Sequence, residues 1–155
     1  MNAATSRRPV LSEVAAGDVV GRRTVHVDRA RLVEYAAASG DRNRIHWDER
    51  FARSVGLPDV IAHGMFTMGA AGEVASHWAG GPQHVRSWSC RFTHPVVVSD
   101  DGGADIEVVA TVTRVDAEAG EVTLGIEVTH DDVKVLGRAV AVVAVEGSDS
   151  AEAGR

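Results

Sequence analysis

His63–Ala79 reads HGMFTMGAAGEVASHWA, and the fold turns on what this stretch becomes. It is apolar or small on every side, with Glu73 as its one carboxylate. A helix that is apolar nearly all round is a buried helix. Gly64, Gly69 and Gly72 interrupt it. An interior glycine costs about 1 kcal/mol relative to alanine, so something must come close enough to use the missing side chain. A sheet or a ligand would serve. The GGP at Gly80–Pro82 ends the segment.

Downstream the periodicity changes to two. Trp88, Cys90 and Phe92 alternate with Ser87, Ser89 and Arg91. Ile106, Val108, Ala110 and Val112 form a second alternating set, and Val122, Leu124, Ile126 and Val128 a third. Val133–Val145 is a long apolar run that closes the series. Alternation means one packed and one wet face, the mark of an antiparallel sheet. DAEAGE (Asp116–Glu121) and HDD (His130–Asp132) read as hairpin turns. Upstream, Gly17–Val27 reads as a first strand with a possible bulge at Gly21. Asp28 is an N-cap for a helix that carries Leu32, Tyr35 and Ala36 on one face and stops at Gly40. Asp48–Gly56 reads as a short capped helix. The expected class is α+β: one curved antiparallel sheet wrapped round one long central helix.

A length of 155 residues suits one domain. Residues 11–146 are expected to form it, with a loose arm over 1–10 and a frayed tail over 147–155. Acids outnumber bases 22 to 16, giving a net charge of −6, which argues against a nucleic-acid surface. No apolar run reaches the length of a membrane span, and the N-terminus lacks the apolar stretch of a signal peptide. Cys90 is the single cysteine and cannot form an internal disulfide, so the cytoplasm is the expected location. Cys90 itself reads as a buried small hydrophobe.

Between the two helical regions lies SGDRNRIHW, Ser39–Trp47. On a continuous helix Asp41 and His46 would stand about 140° apart, so they converge only if the chain leaves helical geometry after Gly40. Asn43 favours such a turn. One reading is purely structural: Asp41 and Asn43 bridge a loop, and His46 packs on Trp47. The other is chemical. If the long helix begins at His63 or Gly64, its first amides lack intrahelical partners and carry the positive end of the dipole. An acid, a histidine and an oxyanion donor together make a proton-transfer site. A metal held by Asp41, His46 and His63 is a rival reading, but no tight ligand spacing such as HExxH is present. No metal and no cofactor are expected. The histidines His26, His77, His84, His94 and His130 read as surface or structural.

YAAASGDRNRIHWDERFARS (Tyr35–Ser54) resembles the signature of the MaoC-like hydratases and dehydratases, the (R)-specific enoyl hydratase family. IAHGMFTMG (Ile61–Gly69) is similar to the family's second block, and CRFTHPV (Cys90–Val96) to a third stretch. The resemblance spans about residues 10–145. It is strongest to the catalytic subunit of actinobacterial 3-hydroxyacyl-carrier-protein dehydratases. It implies a hot-dog fold and interconversion of (R)-3-hydroxyacyl and trans-2-enoyl thioesters on an acyl carrier protein or coenzyme A. It implies Asp41 and His46 as the catalytic pair, the Gly64 amide as the oxyanion donor and Asn43 as organiser of the loop. His63, Met65 and Gly69 are the candidates for lining the substrate. The resemblance also implies a homodimer or a heterodimer with a second hot-dog subunit. The alternatives are a hot-dog acyl-CoA thioesterase, an enoyl-CoA hydratase of fatty-acid or polyhydroxyalkanoate metabolism, and a non-catalytic hot-dog partner chain. Arg44 departs from the pattern, standing where the family usually has proline.

Overall fold

The computed structural model describes residues 8–147. Most of the expected arm (1–7) and tail (148–155) therefore lies outside the described residues. Where the two ends enter the fold they meet. The Glu146 amide donates to the Pro9 carbonyl and the Leu11 amide to the Glu146 carbonyl, each at 2.9 Å.

The chain runs β1 (Val19–Val27), α1 (Arg29–Ser39), α2 (Glu49–Ser54), α3 (Gly64–Trp78), β2 (Val85–Phe92), β3 (Ala104–Asp116), β4 (Glu121–His130) and β5 (Val133–Ala144). The five strands form one sheet in the order β1-β3-β4-β5-β2, with every neighbouring pair antiparallel. The alternating sets do what their period requires. Ile106, Val108, Ala110 and Val112 of β3 are buried, as are Val122, Leu124, Ile126 and Val128 of β4. Asp28 caps α1 by accepting from the Arg31 amide, and Gly40 ends it in the left-handed conformation. The β4–β5 turn is tight: Asp131 and Asp132 both adopt positive φ, which aspartate tolerates better than most residues.

In β5 the period breaks. Val135 and Leu136 are both buried, and then burial resumes at Ala139, Ala141 and Val143. Arg138 between them has φ +48°, and the register against β2 shifts between Ser89 and Arg91. This is a bulge. It explains why the sequence of β5 reads as a continuous apolar run rather than an alternation.

The central helix departs from expectation on one flank. Ala71, Val74 and Ala75 are buried, but Met65 is 59% exposed and Gly69 and Glu73 face outward. The five strands curl round only part of its circumference. Where they do touch it, glycine sets the distance. A Cβ on Gly21 of β1 would lie 2.5 Å from Val74 Cγ1, and a Cβ on Gly72 would lie 2.9 Å from Trp88 Nε1. Gly69 has open space instead.

We expect Gly21→Ala to destabilise the fold by about 1–3 kcal/mol, because Val74 is buried and short and has little room to yield. Truncating its neighbour as well, in Gly21→Ala/Val74→Ala, recovers part of that loss. Thermal or urea unfolding of the three proteins checks this; a Gly21→Ala protein as stable as the parent would show that the sheet can step back from the helix at little cost.

Candidate active site

After Gly40 the chain leaves the helix and makes two nested turns. The Asn43 amide donates to Asp41 Oδ1, and the Ile45 amide donates to Asn43 Oδ1, both at 3.2 Å. Asn43 thereby caps a single 3-10 turn, Arg44–His46, that delivers His46 inward. The structural reading of Asp41 and Asn43 is thus half true, since one carboxylate oxygen of Asp41 is committed to the loop. The other, Oδ2, lies 3.9 Å from His46 Nε2.

His46 is 6% exposed. Its Nδ1 lies 2.7 Å from the Ile61 carbonyl. A carbonyl only accepts, so Nδ1 carries the proton and Nε2 is bare. Burial pushes this imidazole below the ordinary histidine pKa. The Ile61 carbonyl and the Asp41 carboxylate oppose the shift, while His63 adds to it. The result is a neutral base pointing at a carboxylate. Their separation is too long for a direct hydrogen bond. Two bonds of about 2.8 Å meeting at one water span such a gap.

Ile61 is itself held. Its amide donates to the Ile45 carbonyl at 3.2 Å, and it bridges Val97 in an antiparallel pair. Flanking bonds run from the Ala62 amide to Val96 and from the Val98 amide to Val60. A second lock lies outside. Arg29 of α1 donates to Glu49 of α2 at 2.8 Å and to Asp59 of the following loop at 2.7 Å.

α3 begins at Gly64. No side chain caps it, so the amides of its first turn, Gly64 included, are left for an anion or a carbonyl oxygen. A groove of about 290 Å³ opens here, lined by His46, Gly64, Thr67, Phe92, His94, Val135 and Leu136 among others. The Phe92 ring closes one side of Gly64, where a Cβ would come within 3.0 Å of it.

The structure brings Asp41, Asn43, His46 and Gly64 together. The three expected lining residues go elsewhere. Met65 turns outward, Gly69 lies beyond the groove beside Trp88, and His63 is 1% exposed behind His46. The reason is helical geometry: only one side of the first turn of α3 faces the groove. Phe92, Thr93, His94, Val135 and Leu136 were missed as lining residues. The resemblance of CRFTHPV held a signal for the first three; β5 offered none, because its bulge is not legible in the sequence.

Asp41, His46 and His63 offer ligand atoms within 4.8 Å of one another. Yet the two imidazoles are stacked, with centroids 3.7 Å apart and planes 20° from parallel. Stacked rings send their in-plane lone pairs side by side rather than to one point, which suits a tetrahedral ion poorly. Cys90 is half-buried and burial raises its thiol pKa, so it makes a poor nucleophile. Arg44 does not reach into the site. Its guanidinium bonds Asp48 at 2.6 Å and lies over the Phe51 ring.

The backbone at Arg44 is ready for proline. Asn43 has φ −59° and ψ 129°, the conformation a pre-proline residue adopts, and Arg44 opens the 3-10 turn, where its amide has no helical partner. We expect Arg44→Pro to fold with stability within about 1 kcal/mol of the parent, the lost exposed ion pair offset by a stiffer loop. A chemical denaturation curve measures it, and a loss of several kcal/mol would mean that the Asp48 pair holds the turn.

The sequence model described as MaoC like domain matches residues 12–131. The 3-hydroxyacyl-thioester dehydratase X of Mycobacterium tuberculosis is 41% identical over 91 residues, covering 53% of this chain and 31% of that protein. The 3-hydroxybutyryl-CoA dehydratase of Methylorubrum extorquens is 33% identical over 97 residues, covering 62% of this chain and 54% of that one. A solved MaoC-like dehydratase superposes with a TM-score of 0.87 at 36% identity, over 90% of this chain and 43% of that chain. This chain therefore spans less than two thirds of each.

Proposed function

The chain belongs to the MaoC-like domain family, and from that premise we propose that it is a hydro-lyase interconverting (R)-3-hydroxyacyl and trans-2-enoyl thioesters carried on an acyl carrier protein or coenzyme A. One observation carries the reading: the bare Nε2 of a buried histidine faces a carboxylate oxygen at 3.9 Å beside the uncapped first turn of a helix. The names of the dehydratase relatives support it.

In the dehydration direction His46 Nε2 removes the proton from C2. The charge moves onto the thioester oxygen, which the Gly64 amide holds. The C3–O bond breaks, and the departing hydroxide takes a proton from the His46 imidazolium to leave as water, which Asp41 Oδ2 orients. Hydration is the reverse. The apolar lining from Val135 and Leu136 shelters the acyl carbons and strengthens the hydrogen bond to the enolate.

We further propose that this takes place in the cytoplasm, on an assembly of two hot-dog units. No helix of the described residues is long and apolar enough to cross a membrane. β2 stands at the edge of the sheet, and Phe92 at its end is 55% exposed. An uncovered edge next to apolar surface is a site for pairing. Sedimentation of the purified chain should give a species of twice its 16.3 kDa mass. A monomer active at the full rate would remove the need for a second unit.

Water addition to crotonyl thioesters of coenzyme A and of a carrier protein, followed by loss of the enoyl absorbance, tests the chemistry. Asp41→Asn and His46→Ala should each lower turnover by about 100-fold or more with the fold intact. Because burial lowers the His46 pKa, the base stays neutral to lower pH than an ordinary histidine does. The acid limb of kcat/KM for hydration should then fall below about pH 6.5. Full activity in either variant, or an acid limb above that pH, contradicts the assignment.

A further inference from the structure

His63 sits where neither the expected lining role nor a metal accounts for it. It is 1% exposed. Its ring lies flat on His46, with centroids 3.7 Å apart, and Tyr35 of α1 packs against its other surroundings at 4.8 Å. Its Nε2 is 3.1 Å from the backbone carbonyl of Asp41, so Nε2 bears the proton and donates it. Its Nδ1 is buried with no hydrogen-bond partner among the described residues. A phenylalanine at this place would stack equally well and would bury no bare nitrogen. What the imidazole adds is the one bond to Asp41.

We propose that His63 is a positioning residue: from the entry to α3 it fixes the Asp41 turn by its Nε2–H bond and backs the ring of His46, so that carboxylate and base keep the gap that one water spans. This rests on the dyad reading above. His63 touches both partners of the dyad and no surface of the groove. The backbone atom it holds belongs to the residue whose two carboxylate oxygens divide between the loop and the site. A turn of this kind, free to shift by about 1 Å, would lose on the order of 100-fold in rate without losing substrate.

Two variants separate the parts. His63→Phe keeps a flat ring and removes the donor; His63→Gln keeps an N–H donor. We expect His63→Phe to lower kcat by about 10- to 100-fold with KM within about 2-fold, and His63→Gln to restore most of that loss. Amide hydrogen exchange, read by NMR, gives an answer that does not depend on turnover. The amides of Asn43, Ile45 and His46 should exchange about 10-fold faster in His63→Phe than in the parent, and at the parent rate in His63→Gln. If the parent has no hydratase activity, the functional reading fails while the exchange data still judge the role of His63. The proposal is overturned by equal exchange in all three proteins, by parental kcat in the phenylalanine variant of an active enzyme, or by a glutamine variant no better than it. A His63→Phe protein that cannot fold also overturns it, by making the residue structural.

Discussion

The closest approach between α3 and the sheet governs everything that lies around it. A curved sheet encloses a helix only as tightly as the intervening side chains permit. At Gly21 against Val74 and at Gly72 against Trp88 the helix and sheet meet with no side chain on one partner. Trp88 then reaches the helix backbone, donating from Nε1 to the Met68 carbonyl at 3.1 Å. With β2 drawn in at Trp88, its end at Phe92 falls over Gly64, and the segment after it runs past the start of the helix. The groove exists because that segment and β5 meet the first turn of α3 rather than its middle.

Given that frame, the proposed dyad would gain its chemistry from unequal burial. The His46 side chain is 8% exposed and that of Asp41 is 55%. A buried imidazole is kept neutral by desolvation, and its tautomer is fixed by the carbonyl of Ile61. The exposed carboxylate of Asp41 meets water. On the proposed reading, one group takes a proton, and the other holds the water that brings or receives it. Holding them apart requires a stiff turn. The stiffness comes from Asn43 within the loop and from the Ile61–Val97 bridge beneath it. The Arg29–Glu49–Asp59 ion pairs brace it from outside.

The fold was readable because its signals were periodic. Period two in β3 and β4 and a small-residue helix leave few other ways to bury so much apolar surface. Asp28 and Gly40 announced both ends of α1. The candidate dyad was readable only as two residues that would have to leave a helix to meet. What lay beyond reach were effects of tertiary placement. Nothing local tells that Met65 faces out, since that depends on how far the sheet curls. His63 and His46 look alike in sequence, and only the direction of a 3-10 turn puts one at the groove and the other behind it. His94 reads as a surface residue until the path after β2 brings it to the groove.

The bulge in β5 shows how local strain serves such a site. A non-glycine residue at positive φ costs on the order of 1–3 kcal/mol unless its surroundings hold it, and Arg138 is held by strands on both sides. Next to it a second register shift, against β4 between Leu136 and Lys134, lets Val135 and Leu136, neighbours that a regular strand would send to opposite faces, both line the groove. Just before them, the Lys134 carbonyl accepts from Thr93 Oγ1 at 2.8 Å and from His94 Nδ1 at 2.9 Å. The strained strand thereby anchors the segment opposite the dyad, and the groove has fixed walls on both sides. On the proposed reading, a thioester entering it would meet a base, a carboxylate and an oxyanion donor set in place before it arrives, which is the condition under which fixed dipoles lower a barrier most.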